Sequence, residues 1–432
     1  MAAALLESLL ANRAGAPAAG DWLAALRDEA AESVRRDGLP DRSAESWRYM
    51  PLRALSQRHF ANGDPEAAQR KVDSTAFDLP GLAGPRLVFV NGTFRADLSR
   101  LAVPAGIELV PLHDAFASHA EILRFLLSRY SGGTGGAFTR LNAALARDGF
   151  LLRAAAGVEL AAPVEVIHAG TPATADVASH VMMFCELDAG SRLTLVERHA
   201  ATAPNGHLAN LLSCHTVRDG AAFDMIRIQQ ADNRATVLRR SEFDIAAGGR
   251  VTLHAVDAGA ALARDEFAVA LAGDGAAFRA RGAFLARGRQ HVEIAFDVHH
   301  RARGTVSDVS WRGVADGRAR GVFHGGITVA AGADGTDAQL SNKNLLLSPD
   351  AEIDTRPVLE IHADEVRANH GATVGQLDAH ALFYLRSRGI PEAEAKAILI
   401  QSFCREVLAA LPLPALRDPL GDALLARLPT SS

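Results

Sequence analysis

The stretch QLSNKNLLLSPDAEIDTRPVLEIHADEVRANHGATVGQLDAHALFYLRSRGIPEAEAKAILIQSFCREVL, from Gln339 to Leu408, decides the fold because its character changes partway along. Its first part has short apolar runs separated by Ser, Pro, Asp and Thr, which is typical of strands. Its last part has apolar residues at three- and four-residue steps, which predicts helices over Ala379–Ser387 and Glu392–Leu411. Asn369–Thr373 lies between the two parts. We therefore predict a β body joined to a helical tail, with His370 at the junction.

The segment from Gly149 to about Ala368 predicts short strands and almost no helix. Glycine-containing turns recur through it at a spacing of about 26 to 30 residues, within the range of solenoids and propellers. Four of them are Asp188-Ala189-Gly190, Asp219-Gly220, Ala247-Gly248-Gly249 and Gly273-Asp274-Gly275. A two-sheet sandwich would need many tight hairpins, and few are visible. The pattern therefore predicts a mainly β fold built on a β-helix, a solenoid in which each coil covers the next.

The part of the chain before Gly149 predicts helices with a few short strands. Arg86–Val90 has strand character, and Asn91-Gly92 directly after it is a strong hairpin signal. Helices are predicted near Ala115–Tyr130 and over Ala137–Arg147. The chain as a whole divides into a mostly helical region at 1–148, a β-helix core at 149–368 and a C-terminal helical region at 369–432.

Two local features of the N-terminal region have ordinary structural interpretations. Trp47 and Tyr49 are expected to anchor a helix end onto the body, since such aromatic side chains usually bury area. The glycine run from Gly132 to Gly136 lacks the Lys-Ser/Thr ending of a phosphate loop, so it is interpreted as a flexible connector.

Composition argues against several classes of function. The 432 residues are 48% hydrophobic and 22% charged, and the net charge of -5 gives no reason to propose nucleic acid as a partner. No apolar run approaches the roughly 20 residues of a membrane-spanning helix, so no membrane association is expected. The N-terminus lacks the basic segment of a signal peptide. The three cysteines, Cys185, Cys214 and Cys404, are too few and too far apart for a disulfide framework or a self-contained iron–sulfur site. A reduced, cytoplasmic protein is expected.

Motifs near the C-terminal end resemble those of the SufB/SufD family, the iron–sulfur cluster assembly scaffold proteins. The matching runs are Asn342–Ser348, Pro357–Ile361, His370–Thr373, Gly375–Asp378 and Leu382–Ile390. The run from Glu45 to Tyr49 and the Phe138-to-Leu151 entry into the β body resemble the family's N-terminal motifs. The resemblance therefore covers most of the chain.

Two features are similar to the SufD branch of that family rather than to the SufB branch. The run from His370 to Asp378 is SufD-like, and Leu385 stands where the SufB pattern has a cysteine. One feature departs from the branch, because SufD proteins often have a cysteine two positions before the motif histidine and this chain has Ala368. Thiol ligation at that position is therefore excluded.

The resemblance implies a fold, a function and partners. The family fold is a right-handed parallel β-helix with helical N- and C-terminal parts, which agrees with the period of the turns. The implied function is that of a non-catalytic scaffold subunit that pairs with a SufB-like paralogue and docks a SufC-like ABC-type ATPase through its C-terminal helices. Candidate docking residues are Leu382, Phe383, Tyr384, Arg388 and Phe403. Whether the chain also forms a homodimer stays open.

His370 is the leading candidate for contact with metal. A neutral imidazole ligates iron well, and the resemblance implies a nascent cluster near the paired β-helices, held by thiolates of the paralogue. The alternative is a structural histidine that caps the β-to-helix junction. We expect no cofactor to be bound stably by this chain alone, with iron or an iron–sulfur cluster present only transiently at the interface of the complex.

Other candidate ligands have simpler interpretations. His299 and His300 are neighbours on a predicted strand, so they point to opposite faces and cannot chelate one metal together. Glu360 and His362 share a strand face and could support a metal site near the junction. The three cysteines are given no catalytic role.

A second class of function stays open, a β-helix enzyme that acts on a polysaccharide. Such enzymes need paired carboxylates along an exposed groove. The Asp and Glu residues of this chain are scattered, with no clustered set along the predicted coils. The scaffold is therefore the preferred hypothesis.

Overall fold

The computed structural model describes residues 2–11, 21–41, 43–64, 66–79, 81–131, 136–417 and 421. Most of the glycine run, from Gly132 to Gly135, lies outside the described residues. The helices are α1 Ala2–Leu10, α2 Asp21–Asp37, α3 Leu52–Ser56, α4 Leu112–Ser118, α5 Ala120–Ser131, α6 Gly136–Leu145, α7 Ala379–Ser387 and α8 Glu392–Leu408. The strands of the N-terminal region and the early coils are β1 Ala61–Asn62, β2 Arg86–Val90, β3 Thr93–Phe94, β4 Ile107–Pro111, β5 Asp148–Ala154, β6 Val164–Gly170, β7 Val177–Leu187, β8 Arg192–Ala201, β9 Leu208–Val217 and β10 Ala222–Gln230. The later strands are β11 Thr236–Ile245, β12 Arg250–Asp257, β13 Leu262–Leu271, β14 Ala277–Ala286, β15 His291–His300, β16 Val306–Ala315, β17 Arg320–Val329, β18 Asp337–Leu346, β19 Glu352–Ile361 and β20 Arg367–Gly375.

From β5 onward the chain winds as a parallel β-solenoid of about eight turns. Successive strands alternate between two sheets, and each strand pairs in parallel with the strand that comes two later. The first sheet has the order β19-β17-β15-β13-β11-β9-β7-β5-β4, with β1 beside β7. The second has the order β20-β18-β16-β14-β12-β10-β8-β6-β2-β3. The predicted β-helix core between helical regions is confirmed.

The recurring glycines shape the turns between strands. Gly220 and Gly248 have φ angles of 65° and 63°, in the left-handed region that side chains disfavour. The N–H of Gly220 donates to the carbonyl of Ala247 at 2.8 Å, and the N–H of Gly248 donates to the carbonyl of Asp274 at 2.9 Å. Each turn is thus hydrogen-bonded to the same turn of the next coil, so the turns stack as the strands do. The period seen in the sequence is the length of one coil.

Apolar side chains fill the space between the two sheets in stacked rows. Phe267 and Phe296 are register partners on β13 and β15, and their rings stack with centroids 4.7 Å apart. Trp311 reaches them from the second sheet, 5.2 Å from Phe296. Gly282 leaves room for the indole, since a Cβ at that position would lie 2.4 Å from it. The interior of these coils is therefore closely packed, as protein cores are.

Helices cover the outward faces of both sheets. On the first sheet, α6 is buried from Ala137 to Leu145 and packs against α2, β7 and β9. On the second sheet, α8 packs on β14 and β16 through Ile400, Cys404 and Val407. The outward face of a solenoid strand is thereby buried wherever a helix lies on it.

The segment from Glu45 to Tyr49 fastens the N-terminal region to the first sheet. Trp47 is buried, with its ring 5.1 Å from that of Phe138 and the guanidinium of Arg264 4.1 Å above it. The guanidinium of Arg320 lies 5.5 Å from the Tyr49 ring. The anchoring role predicted for the two aromatic residues is confirmed.

The local predictions for the N-terminal region hold with one change. β2 and β3 form the predicted hairpin, with Val90 opposite Thr93 and positive φ angles at Asn91 and Gly92. The helix predicted near Ala115–Tyr130 is present as two helices, α4 and α5, because His119 between them has non-helical φ and ψ angles of -130° and 35°.

Candidate partner-binding surfaces

The last coil, formed by β19 and β20, is where the solenoid ends. In the described part of the chain no strand pairs with the outer edge of either one, so both present unpaired backbone N–H and C=O groups. Neither strand has a fully buried side chain, whereas the preceding strands have several. Ile361 and Val374 are 42% and 43% exposed. Two free edges beside exposed apolar groups make this coil a candidate surface for another protein.

Strand register shows that His370 faces the interior side of the last coil. Its partner on β18 is Leu340, which is buried in the core between the sheets. On the other sheet, Thr355 of β19 is the partner of the buried Phe323. His370 therefore occupies a position that would be core in an earlier coil. It is exposed here because no further coil covers it in the described structure.

His370 lies in the middle of β20, not at a junction between the β body and the helical tail. The polar run Asn369–Thr373 suggested a junction, but every residue of it pairs with β18. The strand continues to Gly375, so the boundary predicted between 368 and 369 falls inside it. Asp378 supplies the cap of α7, and its carboxylate accepts from the N–H of His380 at 2.8 Å. The capping role considered for His370 is therefore not what the structure shows.

Ala368 shares the inward face of β20 with His370. It pairs with the buried Ala338, two residues before Leu340. A cysteine at 368 would thus point to the same side as His370, where both side chains could contact one metal ion. The alanine at this position removes that second ligand. In this chain the inward face of β20 offers one imidazole and no thiol.

Glu360 does not join His370. Glu360 follows Leu359, which pairs with the buried Ile327 and faces inward, so Glu360 faces outward. His362 comes after the end of β19. The joint metal site considered for Glu360 and His362 next to His370 has no support in this placement.

His299 and His300 lie on opposite faces of β15, as predicted. The Nε2 atom of the partly exposed His299 is 2.9 Å from a carboxylate oxygen of Asp297. His300 is fully buried, with its ring nitrogens 2.8 Å from the hydroxyls of Thr305 and Ser307. Both rings have hydrogen-bond partners, and no single metal could bind both.

The cysteines are unsuited to surface chemistry. All three are buried and free. Burial raises the pKa of the Cys214 and Cys404 thiols to about 12 and raises that of Cys185 well above its ordinary value. The reactive form of a cysteine is the thiolate, which is disfavoured at all three positions.

The helix α7 is the second candidate surface. In the described structure it has no buried side chain, and it packs on α8. Phe383 and Tyr384 are 71% and 57% exposed, and the guanidinium of Arg388 lies 5.2 Å from the Tyr384 ring. Leu382 is half-buried. Large exposed aromatic side chains on one short helix are typical of a surface that binds a partner.

The residues proposed for ATPase docking do not all belong to that surface. Phe403 is half-buried on α8, where the guanidinium of Arg312 lies 5.8 Å from its ring. It packs beside the cluster that fixes α8 to the second sheet. Phe383, Tyr384 and Arg388 therefore remain candidates for contact with the ATPase. Phe403 instead helps to pack α8 against the second sheet.

The sequence analysis did not identify the exposed apolar side chains on the inward face of the last coil. Ile353, Leu359 and Ile361 occupy alternate, inward positions of β19, and Val374 does so on β20. A signal was available, because these side chains follow the two-residue period of a strand. What could not be seen without the fold is that no further coil of the described structure covers these side chains.

The described helices include none that is long and apolar enough to cross a membrane. The fold and the two surfaces define the class of this protein: a parallel β-solenoid with an uncovered last coil and an exposed helix beside it. Comparison with known proteins then gives the family. Residues 170–403 match the family model described as SUF system FeS cluster assembly, SufBD core domain, and residues 16–166 match the SufBD protein N-terminal region. The chain belongs to the SufBD family.

Relatives named SufD agree with the branch inferred from Leu385. The chain is 27% identical over 400 residues to the iron–sulfur cluster assembly protein SufD of Escherichia coli, covering 92% of this chain and 91% of that protein. It is 28% identical over 437 residues to an iron–sulfur cluster assembly SufBD family protein of Synechocystis, covering 98% and 92%. SufD of Bacillus subtilis is 28% identical over 290 residues, covering 65% of this chain and 64% of that protein. The resemblance seen in the sequence motifs is confirmed.

Proposed function

We propose that this chain is a non-catalytic scaffold subunit of iron–sulfur cluster assembly and pairs with a SufB-like paralogue through the last coil. The observation that carries the proposal is the uncovered coil, whose two free edges lie at the end of both sheets. Another solenoid of the same family would offer matching edges and could cover the exposed Ile361 and Val374. Burial of such apolar surface contributes about 25 cal/mol per Å². A second copy of this chain is the alternative occupant.

The same proposal assigns α7 to an ABC-type ATPase. Membership of the SufBD family supports this partner, and the exposure of Phe383 and Tyr384 supports this helix. α8 is held on the second sheet by buried side chains, so it gives α7 a fixed base. A partner that moves during ATP hydrolysis could pull on the solenoid through such a base.

The cluster is cargo in this scheme, and His370 is the group this chain contributes toward it. The imidazole lies on the inward face of the last coil, exposed at the surface where the paralogue would pair. Because position 368 is alanine, thiolates at the interface would come from the paralogue. A neutral imidazole can complete a mostly thiolate iron site.

Family membership favours the scaffold over the polysaccharide enzyme considered from the sequence. The relatives carry names for assembly of iron–sulfur clusters, and they cover most of the chain. No observation on the described residues favours sugar chemistry in its place.

The experiment is co-purification of the tagged chain, co-expressed with a SufB-like paralogue and a SufC-like ATPase. Val374→Arg places a charge on the last coil and is expected to reduce recovery of the paralogue at least tenfold. Phe383→Ala combined with Tyr384→Ala is expected to reduce recovery of the ATPase by a similar factor and to leave the paralogue bound. His370→Ala is expected to retain both partners and to lower the iron–sulfur absorbance of the complex.

Phe125→Ala is the matched control, since Phe125 is an aromatic side chain of α5 that is 70% exposed, far along the chain from both surfaces. It should leave recovery of both partners unchanged. Full recovery of the paralogue by Val374→Arg would overturn the pairing surface, and full recovery of the ATPase by the double variant would overturn the docking helix. Loss of self-association only, with the paralogue still bound, would assign the last coil to a homodimer.

A further inference from the structure

Two histidines and a glutamate meet inside the early coils of the solenoid. His168 of β6 and His199 of β8 are register partners, and Glu197 lies on the same inward face two residues before His199. The Nε2 atoms of His199 and His168 are 3.3 and 3.6 Å from the same carboxylate oxygen of Glu197. Among the residues that the structure describes, this is the group of three potential ligands whose atoms all lie within 4.8 Å of one another. We call it the interior triad.

The interior triad is buried, and one of its atoms lacks a partner. Glu197, His199 and His168 are almost completely shielded from solvent. Within the described residues the Nε2 atom of His168 has no hydrogen-bond partner, although a buried ring nitrogen normally has one. The Nε2 atom of His199 is at hydrogen-bond distance, 3.3 Å, from Oε1 of Glu197, so this ring would bind a metal through Nε2 in the tautomer that carries its hydrogen on Nδ1. Neutral imidazole is the form that binds metal ions.

A cavity lies beside the two imidazole rings of the triad, and Glu197 is not among the residues that line it. A cavity of about 50 Å³ is lined by His168 and His199, with Asn205 and His207 on its wall. That volume exceeds what one water molecule needs, so a water ligand of an ion bound by the two rings could fit there. The two rings are now stacked, 4.5 Å apart and 25° from parallel, so one must tilt for both Nε2 atoms to point at one ion.

The charges around Glu197 select the kind of metal. Its second oxygen accepts from Nε of Arg227 at 3.0 Å, and Nη1 of Arg239 is 3.9 Å from the first. Both guanidinium groups are buried beside this carboxylate. The negative charge of this single carboxylate is therefore already balanced by the two arginines. A hard cation such as Mg²⁺ or Ca²⁺, which prefers several oxygen ligands, would bind weakly here. A metal with real affinity for imidazole nitrogen does not depend on that charge.

We propose that His168, His199 and Glu197 form a binding site for one divalent transition metal ion, such as Zn²⁺ or Fe²⁺, inside the early coils of the solenoid. The spacings of 3.3 and 3.6 Å between ligand atoms suit the ion, since ligands about 2.0–2.1 Å from a tetrahedral zinc lie about 3.3 Å from each other. Arg227 acts on the ion through Glu197, as outer groups commonly do at metal sites. This site is separate from His370 and does not depend on a paralogue.

The test is metal binding by the purified full-length chain without partners. Equilibrium dialysis with Zn²⁺ and with Co²⁺ is expected to give one tightly bound ion per chain, and Mg²⁺ is expected to show no binding. His168→Ala and His199→Ala should each weaken Zn²⁺ binding at least tenfold. His299→Ala, on the surface of a later coil, is the matched control and should bind as the parent does.

Two further measurements keep the proposal open to contradiction if a variant folds poorly. Circular dichroism should show that each variant keeps its β structure, and His168→Gln is the conservative second variant. X-ray absorption of the zinc-loaded parent chain should show nitrogen and oxygen ligands with the scattering pattern of two imidazoles and without sulfur. The proposal is overturned if the parent chain binds no Zn²⁺, if His370→Ala alone removes it, or if sulfur appears among the ligands.

Discussion

The last coil and the coils before it are built from the same strand pattern but have opposite environments. In the closed coils, from β6 to β18, inward side chains are buried, and ionic groups there are paired with one another. In the last coil the same inward positions carry Thr355, Leu359 and His370, none of them fully buried. An inward position in this solenoid is therefore buried in the core only when a further coil covers it. At the end of the described solenoid the same position stays exposed, and we propose that a partner covers it.

The largest expected contrast between the two regions is in stability. Arg239 is fully buried, and its Nε and Nη2 atoms each donate to Asp265 at 2.6 Å, while Nη2 also donates to Asp257 at 3.1 Å. Arg239→Met leaves buried carboxylates without their partner and should cost about 3–5 kcal/mol in the free energy of unfolding. Urea denaturation of the purified chain measures this loss.

Arg320→Met is the matched control at the last coil. Arg320 donates to Asp354 of β19 at 2.7 Å, but both side chains are more than one third exposed. Its replacement should cost less than about 1 kcal/mol, because exposed ion pairs are screened by water. An equal loss of unfolding free energy in Arg239→Met and Arg320→Met would contradict the view that ion pairs of the closed coils contribute more than those of the last coil.

A smaller effect is expected in the pH dependence of stability. Burial lowers the pKa of His300 to about 4, below its ordinary value of 6.5. A histidine with a lowered pKa stabilises the fold above pH 6.5, and that contribution is lost as the pH falls from 6.5 toward 4. The slope from one such group is about 1.4 kcal/mol per pH unit. His300→Gln should therefore flatten the fall in unfolding free energy over this range.

The Phe125→Ala variant serves as the reference for the His300→Gln measurement, since its pH profile should match that of the parent chain. Urea midpoints at pH 4.5, 5.5 and 6.5 would be compared between the three proteins. An unchanged slope in His300→Gln would contradict the view that His300 is held neutral inside the closed coils.

The sequence carried most of the fold and less of the surfaces. Turn glycines such as Gly220 and Gly248 were visible as a period, because each coil must make the same left-handed turn. The hairpin at Asn91-Gly92 and the helices α6 and α7 followed from local signals. The position of His370 in a strand was missed, since pairing with β18 outweighs the turn-like composition of Asn369–Thr373.

The interior triad shows why some sites cannot be read from one sequence. Glu197 and His199 are two residues apart, but His168 is far from them along the chain and comes beside His199 only through strand register. Register depends on how many residues each coil takes, and the repeat here is degenerate. The signal that was available is a polar residue at an inward position of a strand otherwise rich in Val, Ile and Leu.

The most direct test of the central claim is amide hydrogen exchange on the chain alone and in complex with a SufB-like paralogue. Pairing through the last coil should slow exchange along Glu352–Ile361 and Arg367–Gly375, because their free edges become hydrogen-bonded. Exchange along β15, already paired on both sides, should stay the same. Protection of the N-terminal helices, with unchanged exchange in β19 and β20, would contradict the claim that the last coil is the pairing surface.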